Sequence, residues 1–413
     1  MISSRDTHRI KVMLCWHWDP FSVTPGGIGR FLEDFIEYAP SDFDIWLPVL
    51  TEQTHPLFQP MPFEIRNKVC TVIPVAHTPN NRLIPGRIHY ALGLRKFSQQ
   101  KQVEDYVIHY HGIEPWYGFA KNSDNSHFLI LHKNPSYRWQ ISSESKWRFI
   151  PRPVYDRAEQ KMVVRSDGLF FVNQQCYEEY AKKYGYLHKP MTLMSTWVDP
   201  ETFYLCPSET ELNAARTRNC EKFGLPENKR LVLYFGRFDE VKDPLLLIQA
   251  WRQVLSQSPD SHLLLVGSGG LQTQMHQLIR ELQLTEDVTI LPSQPREVLR
   301  ELLWISKASV LPSKSEGMSM AINESLASGC PAVGFDVGDI RRVVEPGVSG
   351  EIVTQRDPND FAEAVSRVLG NRQQYSPVNC GAAVASFNPS TVLKPLYQAT
   401  QQFSLALRSE SAA

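Results

Sequence analysis

Long apolar runs are missing from this chain. No stretch of its 413 residues approaches the roughly 18 consecutive apolar residues that a membrane-spanning helix needs. The apolar run nearest the N-terminus, Ile10 to Cys15, gives way at once to Trp16-His17-Trp18-Asp19. It is shorter than a secretory leader demands and has no small-residue cleavage site after it. Cysteines are few and never spaced as pairs: Cys15, Cys70, Cys176, Cys206, Cys220, Cys330 and Cys380 are odd in number, with no Cys-x-x-Cys among them. That argues against a disulfide framework and a structural zinc site, and for a reducing compartment. An excess of one charge is also lacking. The formal net charge of -1 gives no overall pull toward nucleic acid or an anionic surface. The expected location is cytoplasmic, compatible with a peripheral place on the inner face of a membrane. Internal repeats are absent, and low complexity is confined to the terminal SESAA.

What is present is an alternation. The apolar share of 42% and charged share of 21% suit a globular chain with sizeable cores. The length is about two or three times that of a typical domain. Short runs rich in Val, Ile and Leu alternate with helix-length amphipathic segments. In the first half these runs are 10–15, 44–49, 70–75, 106–111, 127–133, 168–173 and 191–195. In the second they are 230–236, 262–267, 288–291, 308–312, 331–335 and 351–353. Nearly continuous apolar strands separated by helices are what a parallel sheet covered on both faces requires. Two such series imply two doubly wound, Rossmann-like α/β domains. The break falls within 195–225, where a polar helix over 209–222 and Gly224-Leu225-Pro226 precede the next strand. Boundaries of 1–200 and 201–385 follow. Open α/β sheets bind ligands beyond the carboxyl ends of their strands, so a cleft between two facing lobes is the expected site.

The most informative segment runs from Ser315 to Gly329, SEGMSMAINESLASG. It follows the strand ending at Pro312 and reads as a loop entering a helix, with Gly329 as its C-terminal cap. Small residues around Gly317 let backbone N–H groups approach an anion, and a helix N-terminus favours phosphate charge. Glu316 and Glu324 are eight residues apart, which on a helix is about 80° round and roughly 12 Å along. They are therefore too far apart for a paired acid and base, and each should touch a different part of one extended ligand. Gly236-Arg237-Phe238-Asp239-Glu240-Val241-Lys242-Asp243 leaves another strand end, with Asp243 as N-cap and Pro244 as first helical residue. Arg237 and Lys242 would then project where a diphosphate can be held. Gly267-Ser268-Gly269-Gly270 forms a third strand-to-helix turn. A tight turn accounts for its glycines equally well. Taken singly, a helical Glu or a loop Lys is ordinarily a solvated surface residue; the combination in this order carries the reading.

SEGMSMAINESLASGCPAVG, with GRFDEVKD and LLLVGSGG upstream and GGIGRF near the start, resembles glycosyltransferase family 4 of the retaining GT-B enzymes. The resemblance spans nearly the whole chain. It implies a GT-B fold of two Rossmann-like domains and transfer of a sugar from a nucleotide-diphosphate sugar to a hydroxyl acceptor, with retention and without a metal or other cofactor. By the same resemblance Glu324 holds the donor ribose. Glu316 contacts the donor sugar beside the backbone amides of Gly317, Met318 and Ser319, while Arg237 and Lys242 neutralise the diphosphate. Fixed cations and oriented N–H groups are also what a leaving nucleoside diphosphate requires on physical grounds. The resemblance further implies a C-terminal segment, 386–413, whose helix crosses back to the first domain.

In the first half, Gly27-Ile28-Gly29-Arg30 opens a helix over 28–39. It lacks the third glycine of a dinucleotide fingerprint, and no acidic residue follows at the expected place, which disfavours nicotinamide binding. The resemblance places Gly27 and Gly29 against the donor phosphates and sugar. It also places His132 beside the transferred sugar and His111 in the lining of the same pocket. His109 is either packing or a partner of His111 on one face. Asp42-Phe43-Asp44, the one Asp-x-Asp, reads as a strand edge rather than a metal site. Where the family has Asn-Gly-Val-Asp, this chain has Thr196-Trp197-Val198-Asp199, and its late glycine pair is Gly338-Asp339. These departures bear on donor and acceptor identity more than on activity.

Residues 131–165 carry eight Lys or Arg against three acids, with Tyr137, Trp139, Trp147, Phe149 and Tyr155 interleaved. A second basic run is Arg82, Arg87, Arg95, Lys96 and Lys101. Such stretches suit a lipid-linked acceptor or an anionic membrane surface, or simply a solvated face with packing aromatics. No nucleic-acid motif accompanies them. The partners expected are a nucleotide-sugar donor and a glycan or lipid-linked acceptor. Two other functions remain compatible with the cradle: a non-catalytic sugar-nucleotide-binding protein and a sugar-nucleotide epimerase.

Overall fold

The computed structural model describes residues 9–21, 27–52, 54–78, 86–100, 103–119, 125–132, 152–371 and 373–411. The chain forms two compact units, Met1–Ser195 with Val392–Ala413, and Thr196–Thr391. The first change of unit thus falls five residues before the boundary expected at 200/201. The C-terminal return begins at Val392 rather than at 386.

In the first unit the strands are β1 (Ile10–Cys15), β2 (Phe43–Thr51), β3 (Met61–Ile65), β4 (Lys68–His77), β5 (Tyr106–Tyr110), β6 (Ser126–Leu131), β7 (Gly168–Phe171) and β8 (Met191–Leu193). Between them run α1 (Gly27–Glu37), α2 (Gly86–Gln100), α3 (Ile113–Phe119), α4 (Arg152–Arg165) and α5 (Gln174–Tyr184). The strand order is β3-β4-β2-β1-β5-β6-β7-β8, parallel throughout except for the β3–β4 hairpin. The central strands are buried on both faces, β5 along its whole length, because helices cover both sides of a parallel sheet. The β3 strand escapes the sequence pattern: it is half exposed, holds Pro62, and turns into β4 through Arg66-Asn67 with no glycine. Arg66 takes a φ of 52° there, and its guanidinium holds Asp34 of α1 at 2.6 Å. Tertiary charge pairing stabilises a turn that local propensity does not favour.

The second unit contains β9 (Arg230–Arg237), β10 (Ser261–Ser268), β11 (Val288–Leu291), β12 (Ser306–Leu311), β13 (Ala332–Phe335) and β14 (Gly350–Val353). Its helices are α6 (Glu209–Phe223), α7 (Pro244–Gln257), α8 (Gln272–Glu281), α9 (Arg296–Ile305), α10 (Met320–Ala327), α11 (Pro358–Gly370), α12 (Pro377–Val384) and α13 (Pro389–Val392). The sheet is all parallel, ordered β11-β10-β9-β12-β13-β14. Helices α7, α8 and α11 bury one face through Leu247, Trp251, Met275 and Phe361. Helices α6 and α9 bury the other through Ala215, Cys220, Leu302 and Leu303.

The last helix, α14 (Lys394–Ser411), belongs to the first unit. The Tyr397 hydroxyl donates to the Phe35 carbonyl at 2.8 Å, and Thr400 meets His109 at 3.1 Å. Six of the seven cysteines are buried and all are free thiols. Among the described residues no helix is long and apolar enough to cross a membrane.

Candidate functional site

Each sheet reverses its strand order once, and the loops on either side of a reversal leave a crevice at the carboxyl edge. In the second unit the reversal lies between β9 and β12. Arg237 ends β9 and the loop after it carries Lys242, while the loop after β12 carries Glu316. The structure brings these together: Lys242 Nζ lies 2.5 Å from Glu316 Oε1, with the two side chains 19% and 13% exposed. Arg237, at 66% exposure, pairs with Asp239 at 2.7 Å, and the other Asp239 oxygen accepts from the Lys242 N–H at 2.9 Å. Asp239 thus fixes both ends of the loop that presents the two cations. The Tyr234 hydroxyl donates to the Arg237 carbonyl at 2.7 Å. Burial, and then the charges of Asp239 and Glu316, push that hydroxyl's pKa up, so it remains a donor. An ammonium has three protons to donate; Glu316 takes one, and two remain to be directed at an anion.

The Glu316–Ser319 segment is a loop, not the start of a helix. Helix α10 begins at Met320, with the Ser319 hydroxyl accepting from the Ile322 N–H as its N-cap. The helical spacing expected between Glu316 and Glu324 therefore does not apply, though the two carboxylates do meet different partners. Met318 has its side chain in the core beside Leu311, Ile322 and Ile340, leaving only its backbone for a ligand. Gly338 explains how the loop is held. It takes a φ of 60°, and a Cβ there would stand 2.0 Å from the Gly317 carbonyl oxygen and 2.6 Å from that of Glu316. The Asp339 N–H donates to the same Gly317 oxygen at 2.9 Å. Only glycine permits the 338 turn to brace the Glu316 loop so closely.

Two expected details come out differently. Asp243 is the N-cap of α7 by position, but its φ of 47° turns it into the left-handed region and its side chain makes no capping bond. Its carboxylate is taken instead by Arg356 at 2.5 Å and Lys314 at 3.6 Å, charge pairing outweighing a single capping bond. Gly267 lies opposite Gly236 across β10 and β9, where a Cβ would approach the Gly236 carbonyl oxygen to 1.9 Å. Close strand packing accounts for this glycine whatever binds nearby.

Glu324 is 1% exposed and sits 3.9 Å from Arg296 Nη2, while Arg296 Nη1 lies 3.3 Å from Asp199. Arg296 opens α9, beyond the carboxyl end of β11. Its only mark in the sequence is a cation at a strand-to-helix turn; the fold sets it at the same sheet edge as Lys242.

In the first unit the reversal lies between β1 and β5. His111 follows β5 and His132 follows β6, and their rings meet through Nδ1 of His111 and Nε2 of His132 at 2.8 Å. Phe31 of α1 packs edge-on against both. Gly27 and Gly29 lie inside the first turn of α1, the helix that carries Phe31 to this pair. Burial first, then His132 and His109, hold His111 well below the ordinary histidine range, so it is neutral. His109 is packing: it stacks on Phe128 and meets Thr400 of α14, and burial lowers it to about 3. Trp197 is buried at 2% exposure. Asp44, near the start of the interior strand β2, accepts from the Trp46 indole at 2.9 Å. Of the basic–aromatic stretch, 133–151 lies outside the described residues, as do Pro25, Gly26, Arg82 and Lys101.

Residues 215–383 match the family model described as Glycosyl transferases group 1. The D-inositol 3-phosphate glycosyltransferase of Geodermatophilus obscurus is 31% identical over 191 residues, 43% of this chain and 42% of that protein. The chain thus spans about two fifths of that curated relative's length. Among solved structures, sucrose-phosphate synthase from Thermosynechococcus elongatus superposes with a TM-score of 0.79 at 20% identity, over 96% of this chain and 100% of that one. Anabaena HepE in complex with UDP and glucose gives 0.67 at 17% identity, over 97% and 100%. Likeness at this identity establishes the fold, which is GT-B: two units, each a doubly wound sheet, all parallel in the second and parallel but for the β3–β4 hairpin in the first.

Proposed function

We propose, from the match of residues 215–383 to the group 1 glycosyl transferases, that this chain transfers a sugar from a nucleotide-diphosphate sugar to a hydroxyl acceptor. One observation carries the reading. Lys242 and Glu316 come from loops flanking the strand-order reversal of the second sheet and meet there, 2.5 Å apart. A cation held by a carboxylate at a sheet's carboxyl edge, beside the amides entering α10, suits a leaving diphosphate. In this reading Lys242 and Arg237 neutralise the diphosphate in place of a metal, and Glu316 orients Lys242 and contacts the sugar. Gly317, Met318 and Ser319 offer backbone amides, and Glu324 accepts from the ribose hydroxyls. Transfer proceeds with retention, the leaving diphosphate oxygen taking the acceptor's proton. Uridine is the first base to test, since solved neighbours of like fold are described with UDP.

The acceptor is proposed to be lipid-linked or presented at an anionic surface. Helix α4 exposes Arg152, Arg157, Lys161 and Arg165 together with Val154 and Val164, a basic and apolar face suited to such a surface. Sedimentation with vesicles containing an anionic phospholipid checks this; binding that survives Arg157→Glu with Lys161→Glu rejects it.

The donor reading is tested by the melting temperature of the wild-type chain with UDP, GDP and ADP and their sugars, with and without chelator, repeated on Glu324→Ala. A ligand at a hundred times its Kd adds about 2.7 kcal/mol. One base should stand out, chelator should have no effect, and the shift should vanish in the variant. No shift with any nucleotide would remove the reading. A shift with no transfer to any acceptor hydroxyl would leave a binding protein or an epimerase.

A further inference from the structure

We propose that Arg296 is a positioning residue that holds the Glu324 carboxylate for the donor ribose; the inference rests on the donor-site reading above. Glu324 is 1% exposed, and a carboxylate withdrawn from water to that degree is unfavourable unless a cation accompanies it. Arg296 is a cation beside it, with Nη2 at 3.9 Å from Oε1. That separation exceeds a hydrogen bond. The guanidinium therefore compensates the charge by proximity rather than by a direct hydrogen bond between the two.

Arg296 is itself held on two further sides. Its Nη1 lies 3.3 Å from Asp199 Oδ2, and the guanidinium lies over the Phe203 ring, 5.1 Å from its centre. Asp199 is in turn anchored: Oδ1 accepts from the Glu201 N–H at 3.0 Å and Oδ2 from the Thr202 hydroxyl at 2.7 Å. One residue earlier on α10, Asn323 donates to Thr196 at 3.2 Å. Two successive side chains of α10 are thereby referred to the 196–203 segment, Asn323 directly and Glu324 through Arg296. An orientation set in this way is worth more than charge alone, because hydrogen bonds to a hydroxyl pair are lost with small misplacements.

The test measures Kd by calorimetry for UDP, GDP and ADP, each against its 2′-deoxy counterpart, on the wild type, Glu324→Ala, Arg296→Met, Arg296→Gln and Arg296→Lys. Melting in the absence of nucleotide identifies variants that do not fold. A hydrogen bond from the 2′-hydroxyl to a carboxylate predicts roughly tenfold to hundredfold preference for the ribonucleotide in the wild type, and none in Glu324→Ala. Arg296→Met and Arg296→Gln should bring the ratio below about threefold, with Lys restoring most of it. If Met does not fold, Gln is read alone. A ratio unchanged in the Met or Gln variant, with Glu324→Ala abolishing it, overturns the role of Arg296 and leaves the ribose reading standing. A ratio unchanged in Glu324→Ala, or no nucleotide bound by the wild type, overturns both.

Discussion

Replacing Gly338 with alanine should displace the loop that carries Glu316 while leaving β9 and Lys242 where they are. Two effects add. At a φ of 60° an L-residue is disfavoured by roughly 1–2 kcal/mol. The new Cβ would also lie 2.0 Å from the Gly317 carbonyl oxygen, whereas carbon and oxygen in contact stand about 3.3 Å apart. One backbone must then retreat by roughly 1.3 Å, the Asp339–Gly317 hydrogen bond is strained, and overpacking of this kind costs about 1–3 kcal/mol. The sum is about 2–5 kcal/mol, which for a unit the size of Thr196–Thr391 lowers Tm by roughly 4–20 °C. Nucleotide affinity or turnover should fall up to about a hundredfold, since a displacement near 1 Å removes that much positional advantage. The control is Gly270→Ala, where a Cβ meets nothing within 4 Å and the change in stability should stay within about 0.5 kcal/mol. Calorimetry and nucleotide titration on the two variants decide. If Gly338→Ala melts and binds like Gly270→Ala, the 338 turn does not hold the Glu316 loop and the reasoning fails.

Three more outcomes are expected. Lys242→Ala should lower kcat by roughly a hundredfold or more while KM changes little, because leaving-group charge develops only in the transition state; unchanged turnover removes Lys242 from the chemistry. The first unit should lose stability in mild acid. Burial holds His109 at about 3 when folded against about 6.5 unfolded, so the unfolded chain binds the extra proton between those values. Its contribution is complete above about pH 6.5 and declines by at most roughly 1.4 kcal/mol per unit as the pH falls toward 3. His109→Phe should lessen that slope in urea melts between pH 7 and 5, the remainder coming from His111, which burial also holds low; a slope unaltered by the variant contradicts the assignment. Ending the chain at Thr391 removes α14 and its contacts to Phe35, His109 and Phe128. The first unit should then lose its cooperative calorimetric transition while the second keeps its own, and two intact transitions would show α14 to be dispensable.

What the sequence determined by itself is whatever depends on period and local chemistry. Strands β1 and β11 lie where their apolar runs begin and end, and the other buried strands fall within a few residues of theirs, because burial on both faces leaves a near-continuous Val, Ile and Leu signal. The two-fold series of strands, the polar helix α6 and the order of Arg237, Lys242, Glu316 and Glu324 were legible for the same reason. Only the tertiary structure decided which of these residues meet. Lys242 reaches Glu316 because β9 and β12 are neighbours at a reversal of strand order, a relation that no local pattern encodes. His109 finds Thr400 across 291 residues, and Arg296 finds Asp199 across 97. Gly338 reads as an ordinary turn glycine until the Gly317 carbonyl is seen against it. Strand β3 stayed hidden because it is short and holds Pro62, which speaks against a strand, and its turn is secured by the Arg66–Asp34 pair rather than by glycine. Periodicity records how each segment is buried; the partners across the fold are set by topology and packing, which bring distant residues within a few ångströms.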